Sequence, residues 1–209
     1  MEAPTLPRMR AVLRFVASVM IVSGTLLITD AAVTLLWQEP VSAIVAERKQ
    51  AQLKDAYFDP PRRVIRRMPL KGDAIARITI PSIGVSEYVV EGTDTGSLRK
   101  GPGHYPETPL PGEPGTTAIA GHRTTYGAPF RRIDQLGGGD RITLDMPDGH
   151  FVYRVERTTI VDDQDLSVLD RVGYQRLVLS ACHPLYSAAE RVIVFARLAR
   201  RGPPRVRES

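Results

Sequence analysis

What most limits the fold of this chain is the punctuation between Ala74 and Leu198, where short apolar runs of β type are cut by Gly, Pro and Asp. Ala74–Ile80 alternates apolar and polar residues, and Pro81-Ser82-Ile83-Gly84 turns the chain into Val85–Val90. Thr116–Ala120 reads as a buried strand. Arg141–Met146 alternates again, and Pro147-Asp148-Gly149 is a hairpin turn into Phe151–Val161. Arg176–Cys182 and Arg191–Leu198 close the series. Thr93–Lys100, Ile133–Leu136 and the acidic stretch Asp162–Asp170 have room for a turn of helix each, while the Gly/Pro-rich Gly101–Gly115 reads as loop. About eight short strands with turn signals between them predict an all-β barrel or sandwich.

A different kind of sequence precedes this domain. Phe15–Leu36 is apolar or small-polar apart from Asp30, and about 20 such residues cross a bilayer as a helix. Arg8, Arg10 and Arg14 come before it, which assigns residues 1–14 to the cytoplasm, although Arg48 and Lys49 follow. Trp37 falls where an interfacial aromatic sits. Val41-Ser42-Ala43 resembles a signal cleavage site, but the apolar stretch exceeds the roughly 7–15 residues of a cleaved signal. An uncleaved transmembrane anchor at residues 15–36 is expected, with the domain outside the cytoplasm. Residues 37–72 read as a basic, Pro-containing linker (Asp59-Pro60-Pro61-Arg62-Arg63, then Arg66-Arg67), with helical character in Val41–Lys54. Residues 73–199 form the folded domain, and residues 200–209 an Arg-rich tail.

The net charge of +5 is held by the flanks. Eleven Lys/Arg stand against six Asp/Glu up to Gly72, thirteen against sixteen from Asp73 to Ala199, and four against one from Arg200 onward. The domain is thus mildly acidic and carries no basic stripe with interleaved aromatics, which argues against a nucleic-acid partner.

An exported chain with one cysteine, Cys182, is not stapled by disulfides. At the end of an apolar strand that thiol is either a small core residue or a nucleophile. A nucleophile needs a group that favours the thiolate, usually a histidine, and a donor for the oxyanion it creates. Among four histidines, His150 lies in a hairpin turn and reads as solvated, and His104 sits in the Gly/Pro loop with a structural role. His183 adjoins Cys182, but strand neighbours point to opposite faces. His122 follows a buried-type strand beside Gly121, as a catalytic base would, with a structural histidine as the alternative. Arg191 opens the last strand, within reach of Cys182 if the two strands pair. It is a candidate oxyanion donor or an ordinary salt-bridge partner.

Gly121-His122-Arg123 at a strand end, then Leu179-Ser180-Ala181-Cys182, then Arg191 opening the last strand, form a series similar to that of the sortases. These are membrane-anchored cysteine transpeptidases of Gram-positive bacteria. The stretches GHRTTYGAPFRRIDQL (121–136), LVLSACHPLYSAAERVIVFARL (177–198) and GPGHYPETPLPGEPG (101–115) most resemble the class E branch of actinobacteria. The resemblance implies a closed eight-stranded β-barrel with short helical turns behind an N-terminal transmembrane helix. It implies Cys182 as nucleophile, His122 as acid/base and Arg191 as the group that steadies the thioacyl oxyanion or substrate backbone. Tyr126 would sit beside that pocket, with Ser180 and Ala181 as further substrate-binding residues. The implied partners are secreted proteins bearing a C-terminal sorting signal of Leu-Pro-x-Thr-Gly or Leu-Ala-x-Thr-Gly type, and an amine acceptor on a peptidoglycan precursor or pilin.

No cofactor is expected. No metal is expected either, Asp162-Asp163-Gln164-Asp165 being read as a solvated loop rather than a calcium site. Ala181 and Val178 depart from the Thr residues usual in the family. Two rivals remain: an L,D-transpeptidase-like wall enzyme, whose Ser-x-Gly-Cys-type run Ser180-Ala181-Cys182 matches poorly, and a non-enzymatic anchored β-barrel binding domain with Cys182 in its core.

Overall fold

A computed structural model describes residues 6–36, 40–58 and 69–204. Trp37, read as an interfacial aromatic, and the Pro60-Pro61 pair with Arg62, Arg63, Arg66 and Arg67, on which the linker reading rests, lie outside the described residues. The chain divides into two units, Met1–Pro40 and Val41–Ser209. In the first, α1 (Leu6–Leu36) is one uninterrupted helix. Its segment Met9–Val33 is 25 residues long and apolar enough to cross a membrane. Thr25 and Thr29 satisfy their hydroxyls within the helix, donating to the carbonyls of Ile21 and Thr25 at 2.9 Å each, so neither exposes an unbonded donor.

The second unit is the barrel, with one helix of its own. The strands are β1 (Ala74–Ile80), β2 (Val85–Glu91), β3 (Gly103–His104), β4 (Thr116–Ala120), β5 (Arg141–Met146), β6 (Gly149–Asp162), β7 (Arg176–His183) and β8 (Glu190–Gly202). They close in the order β1-β2-β3-β4-β7-β8-β6-β5, which leaves no free sheet edge. Two contacts are parallel, β2 with β3 and β4 with β7. Alternate residues point inward, so Ile78 and Ile80, Leu177 and Leu179, and Val192 and Val194 meet in one core. The closed eight-stranded architecture is the one that the sequence resemblance implied.

The details depart from the sequence reading in four places. β3 lies inside the Gly/Pro-rich loop, where its two residues pair with Ala120 and Ile119 of β4. Two residues are too few to show a period. β8 runs past Ala199 to Gly202, because Arg201 and Gly202 pair with Phe151 and His150 of the long β6. The expected tail therefore begins inside a strand. His150 is buried at 3% exposure rather than solvated. It pairs directly across from Asp145 on β5, and the cross-strand neighbours are hydrogen-bonded through His150 Nδ1 and Asp145 Oδ1.

The fourth difference is in the expected linker. Pro40–Phe58 is a helix, α2, and from Val41 on it belongs to the barrel unit. Ser42, Ala46 and Leu53 are its buried residues; their spacing puts them on one face. Leu53 packs with Tyr88 and Val90 of β2, against which Tyr57 and Phe58 also lie. Gln50 fastens the helix to backbone: its Nε2 donates to the carbonyls of Tyr88 (3.1 Å) and Lys100 (2.7 Å), and its Oε1 accepts from Tyr88 N (2.6 Å). Tyr57 adds a bond from its hydroxyl to Asp145 O at 2.8 Å. Gln50→Ala removes all three of these hydrogen bonds and is expected to cost about 1–3 kcal/mol. Urea unfolding measures this as a lower midpoint at an unchanged slope; an unmoved midpoint would show that α2 is not held by this clamp.

Candidate active site

The register of β7 and β8 brings the first two groups together. Cys182 is paired directly with Arg191 across the antiparallel ladder, so both side chains stand on the same face. Alternation settles which face. Leu177, Leu179 and Ala181 belong to the barrel core. Val178, Ser180 and Cys182 are therefore outward, as are Arg191, Ile193 and Phe195 on β8. Cys182 is partly exposed. Arg191 Nη1 donates to the carbonyls of Ala188 (2.9 Å) and Glu190 (3.0 Å), which ties the guanidinium to the backbone where the β7–β8 loop enters β8.

Ala181 was expected among the substrate contacts, but it is 4% exposed and packs inside the barrel. One residue of offset from Cys182 turns its side chain away from the site. Its lack of a hydroxyl falls in the core, where a methyl group leaves no polar atom to satisfy.

The third group arrives on β4, the parallel neighbour of β7. Ala120 pairs with Ser180, and Gly121 N donates to Ser180 O at 3.0 Å. His122 thus lies two residues past that pair, just beyond the end of β4, while Cys182 lies two residues past it on β7. Gly121 is required by close approach, since a Cβ there would run into the Phe130 ring. The loop then folds back: Phe130 N donates to His122 O (3.0 Å) and Ala128 N to Thr125 O (2.9 Å). Tyr126 (φ 51°) and Ala128 (φ 43°) take left-handed backbone here, and Tyr186 (φ 67°) does so between Cys182 and Arg191. Such conformations cost about 1–2 kcal/mol each. All three non-glycine instances among the described residues lie in the two loops beside Cys182, which is where strain is characteristically held.

His122 is electrically distinctive. Its Nε2 is buried and has no hydrogen-bond partner among the described residues. Burial, and secondarily the Arg99 charge, lower its pKa from the ordinary 6.5. It is therefore a neutral imidazole at neutral pH, with a ring nitrogen awaiting a partner. Tyr126 covers it with ring centroids 5.1 Å apart, and the Arg99 guanidinium lies 5.6 Å from the Tyr126 ring centre. The loop is also tied to α2, because Tyr126 N donates to Ser42 Oγ at 3.2 Å.

On the same outer face, a small apolar cluster leads up to these groups. Ala118, Val178, Ile193 and Phe195 are buried beneath Tyr105, Val161, Val168 and Leu169. Ser180, 7% exposed, lies between that cluster and Cys182. The acidic loop spends its carboxylates on its own backbone: Asp162 accepts from Gln164 N and Asp165 from Ser167 N, both at 3.0 Å. Among the described residues no group of three or more His, Cys, Asp or Glu could hold a metal ion. His104 is a buried structural group as expected, bonded to Glu91 at 2.9 Å. The sequence reading passed over Arg123. Its only signal was a cation beside a strand-end histidine, and its partners lie far away in sequence.

A thiol, an imidazole and a guanidinium at one end of three adjacent strands are the groups that acyl transfer needs: a nucleophile, a proton carrier and a donor to the oxyanion. Comparison with known proteins points the same way. Residues 78–199 match the sortase domain family. Sortase D of Bacillus subtilis (strain 168) is 35% identical over 133 residues, 62% of this chain and 66% of that protein. Sortase SrtE1 of Streptomyces coelicolor is 28% identical over 206 residues, 91% of this chain and 58% of that protein. The chain thus spans somewhat under two thirds of the length of these relatives. The structure of a sortase D5 transpeptidase from Clostridium perfringens superposes with a TM-score of 0.65 at 28% identity, covering 75% of this chain and 99% of that one.

Proposed function

The chain belongs to the sortase family, and on that premise we propose that it is a class E-like, membrane-anchored cysteine transpeptidase acting on C-terminal sorting signals of Leu-Ala-x-Thr-Gly or Leu-Pro-x-Thr-Gly type. The observation that carries this reading is the convergence of Cys182, its cross-strand partner Arg191 and the partnerless His122 Nε2 at one end of three adjacent strands. In the proposed reaction neutral His122 takes the thiol proton as the Cys182 sulfur attacks the Thr carbonyl carbon, the Thr–Gly bond breaks, and the imidazolium so formed protonates the leaving amine. Neutral His122 then takes a proton from an incoming wall or pilin amine. That amine attacks the thioacyl carbon and releases the thiolate, so one amide bond replaces another without an external energy source. Arg191 faces the oxyanion in both halves. Tyr126, over His122, and Ser180, beside Cys182, border the peptide.

Similarity to SrtE1 over 91% of the chain supports the class E reading. The 25-residue apolar segment of α1 supports a single-pass anchor, and Arg8, Arg10 and Arg14 ahead of it favour the barrel outside the cytoplasm. The test is incubation of the full chain with Leu-Ala-x-Thr-Gly and Leu-Pro-x-Thr-Gly peptides and an acceptor amine. Mass spectrometry is expected to show a thioacyl adduct on Cys182 and a transpeptidation product. Turnover of tetrapeptide wall stems in place of sorting peptides would assign an L,D-transpeptidase instead. An unacylated Cys182 with every peptide would leave a binding domain.

A further inference from the structure

We propose that Arg123 is a positioning residue that clamps the His122 loop to the strand end carrying Cys182. The β4–β7 ladder ends where Gly121 N bonds Ser180 O. The next β7 carbonyl facing β4, two residues on, is that of Cys182 itself, and no backbone of β4 remains to meet it. The Arg123 side chain takes that place: Nη1 donates to Cys182 O at 3.3 Å and stands 3.2 Å from His183 Nδ1. The remainder of the guanidinium is anchored within the His122 loop. Nε and Nη2 donate to Arg131 O at 3.3 and 3.2 Å, and Nη2 pairs with Asp134 at 2.6 Å.

One planar group thus bridges the residue after His122 to the residue that bears the thiol. A cation buried to 3% exposure is costly unless each donor is used, and here each guanidinium nitrogen has a protein acceptor. The fork geometry is specific to arginine. Lysine, a point charge with one nitrogen, cannot hold the Arg131 and Cys182 carbonyls and the Asp134 carboxylate together. Arg123 does not reach the substrate in this account; it acts by fixing the separation and angle of His122 and Cys182. A misplacement of about 1 Å between reacting groups costs on the order of 100-fold in rate.

The inference rests on the proposed roles of His122 and Cys182, and its test includes a readout that needs no peptide substrate. Arg123→Lys and Arg123→Ala are compared with His122→Gln and with the double variants. The first readout is the pH dependence of iodoacetamide alkylation at Cys182, the only cysteine in the chain. The second is the kcat and KM for the sorting peptide. Arg123→Lys is expected to lower kcat about 10- to 100-fold with little change in KM, and to move the alkylation profile toward that of His122→Gln. Combined with His122→Gln it should add no further shift, and guanidinium ion should restore part of the activity of Arg123→Ala. If Arg123→Ala does not fold, Asp134→Asn, which loosens the partly exposed anchor, should show the same changes on a smaller scale. A folded Arg123→Lys with unaltered kcat and alkylation profile would overturn the proposal, as would shifts that simply add to those of His122→Gln. Failure of the wild-type chain to turn over any sorting peptide would instead count against the proposed function, while the alkylation cycle still tests the clamp.

Discussion

Cys182→Ala is expected to reduce cleavage and transfer of a Leu-Ala-x-Thr-Gly peptide to background, a fall of at least about 1,000-fold. Loss of a nucleophile removes the covalent route entirely, and what remains comes only from binding and oxyanion stabilisation. With no second cysteine in the chain, no other thiol can substitute. The change should leave the fold intact. Cys182 is partly exposed on the outer face of β7, and the core is filled by its inward neighbours Leu179 and Ala181. Removal of one sulfur there is a surface-like substitution, expected to stay within about 0.5 kcal/mol. Mass spectrometry of the peptide products and a thermal melt check the two halves together. Turnover that persists in a folded Cys182→Ala protein would remove Cys182 from the mechanism.

His122→Gln is expected to lower kcat/KM by about 100- to 10,000-fold, the usual contribution of a positioned acid/base. It should also change how stability depends on pH. Burial lowers the His122 pKa in the folded chain below 6.5, its ordinary value in the unfolded one. Between those two values the unfolded state binds more protons, so stability is lost as pH falls below about 6.5 until the folded value is reached. Above 6.5 both states hold a neutral imidazole and no such penalty exists. Glutamine does not titrate. The melting temperature of His122→Gln relative to wild type should therefore be higher at pH 5 than at pH 8. Parallel melting curves at both pH values would mean that His122 is not desolvated as the fold places it.

Much of the site was legible in residue types. Cys182 alone at a strand end, His122 after a buried strand and Arg191 opening the next strand each carried a local signal, and their order along the chain carried the family resemblance. Other features carried none. Ala181 and Cys182 are chain neighbours with the same apolar flanks, yet one lies in the core and the other in the cleft. His150 read as a turn residue because a two-residue hairpin places its first strand residues next to the turn; only pairing with Asp145 buries it. In α2, polar and charged residues between Ser42, Ala46 and Leu53 masked a narrow buried stripe.

By itself, then, the sequence determined the strand-forming runs, the apolar helix ahead of them and the presence of a thiol, an imidazole and a guanidinium at strand ends. These are local properties, set by side-chain chemistry and by periods of two or about 3.6 residues. Only the tertiary structure decided which faces these groups share. Closure of the barrel places β4 beside β7, so that Arg123 meets Cys182 and His183, 59 and 60 positions away. It also fixes the register that pairs Cys182 with Arg191. A one-residue slip in that register would turn the thiol inward. No local pattern carries that choice, because it is made by the packing of Leu177, Leu179 and Ala181 against the rest of the core.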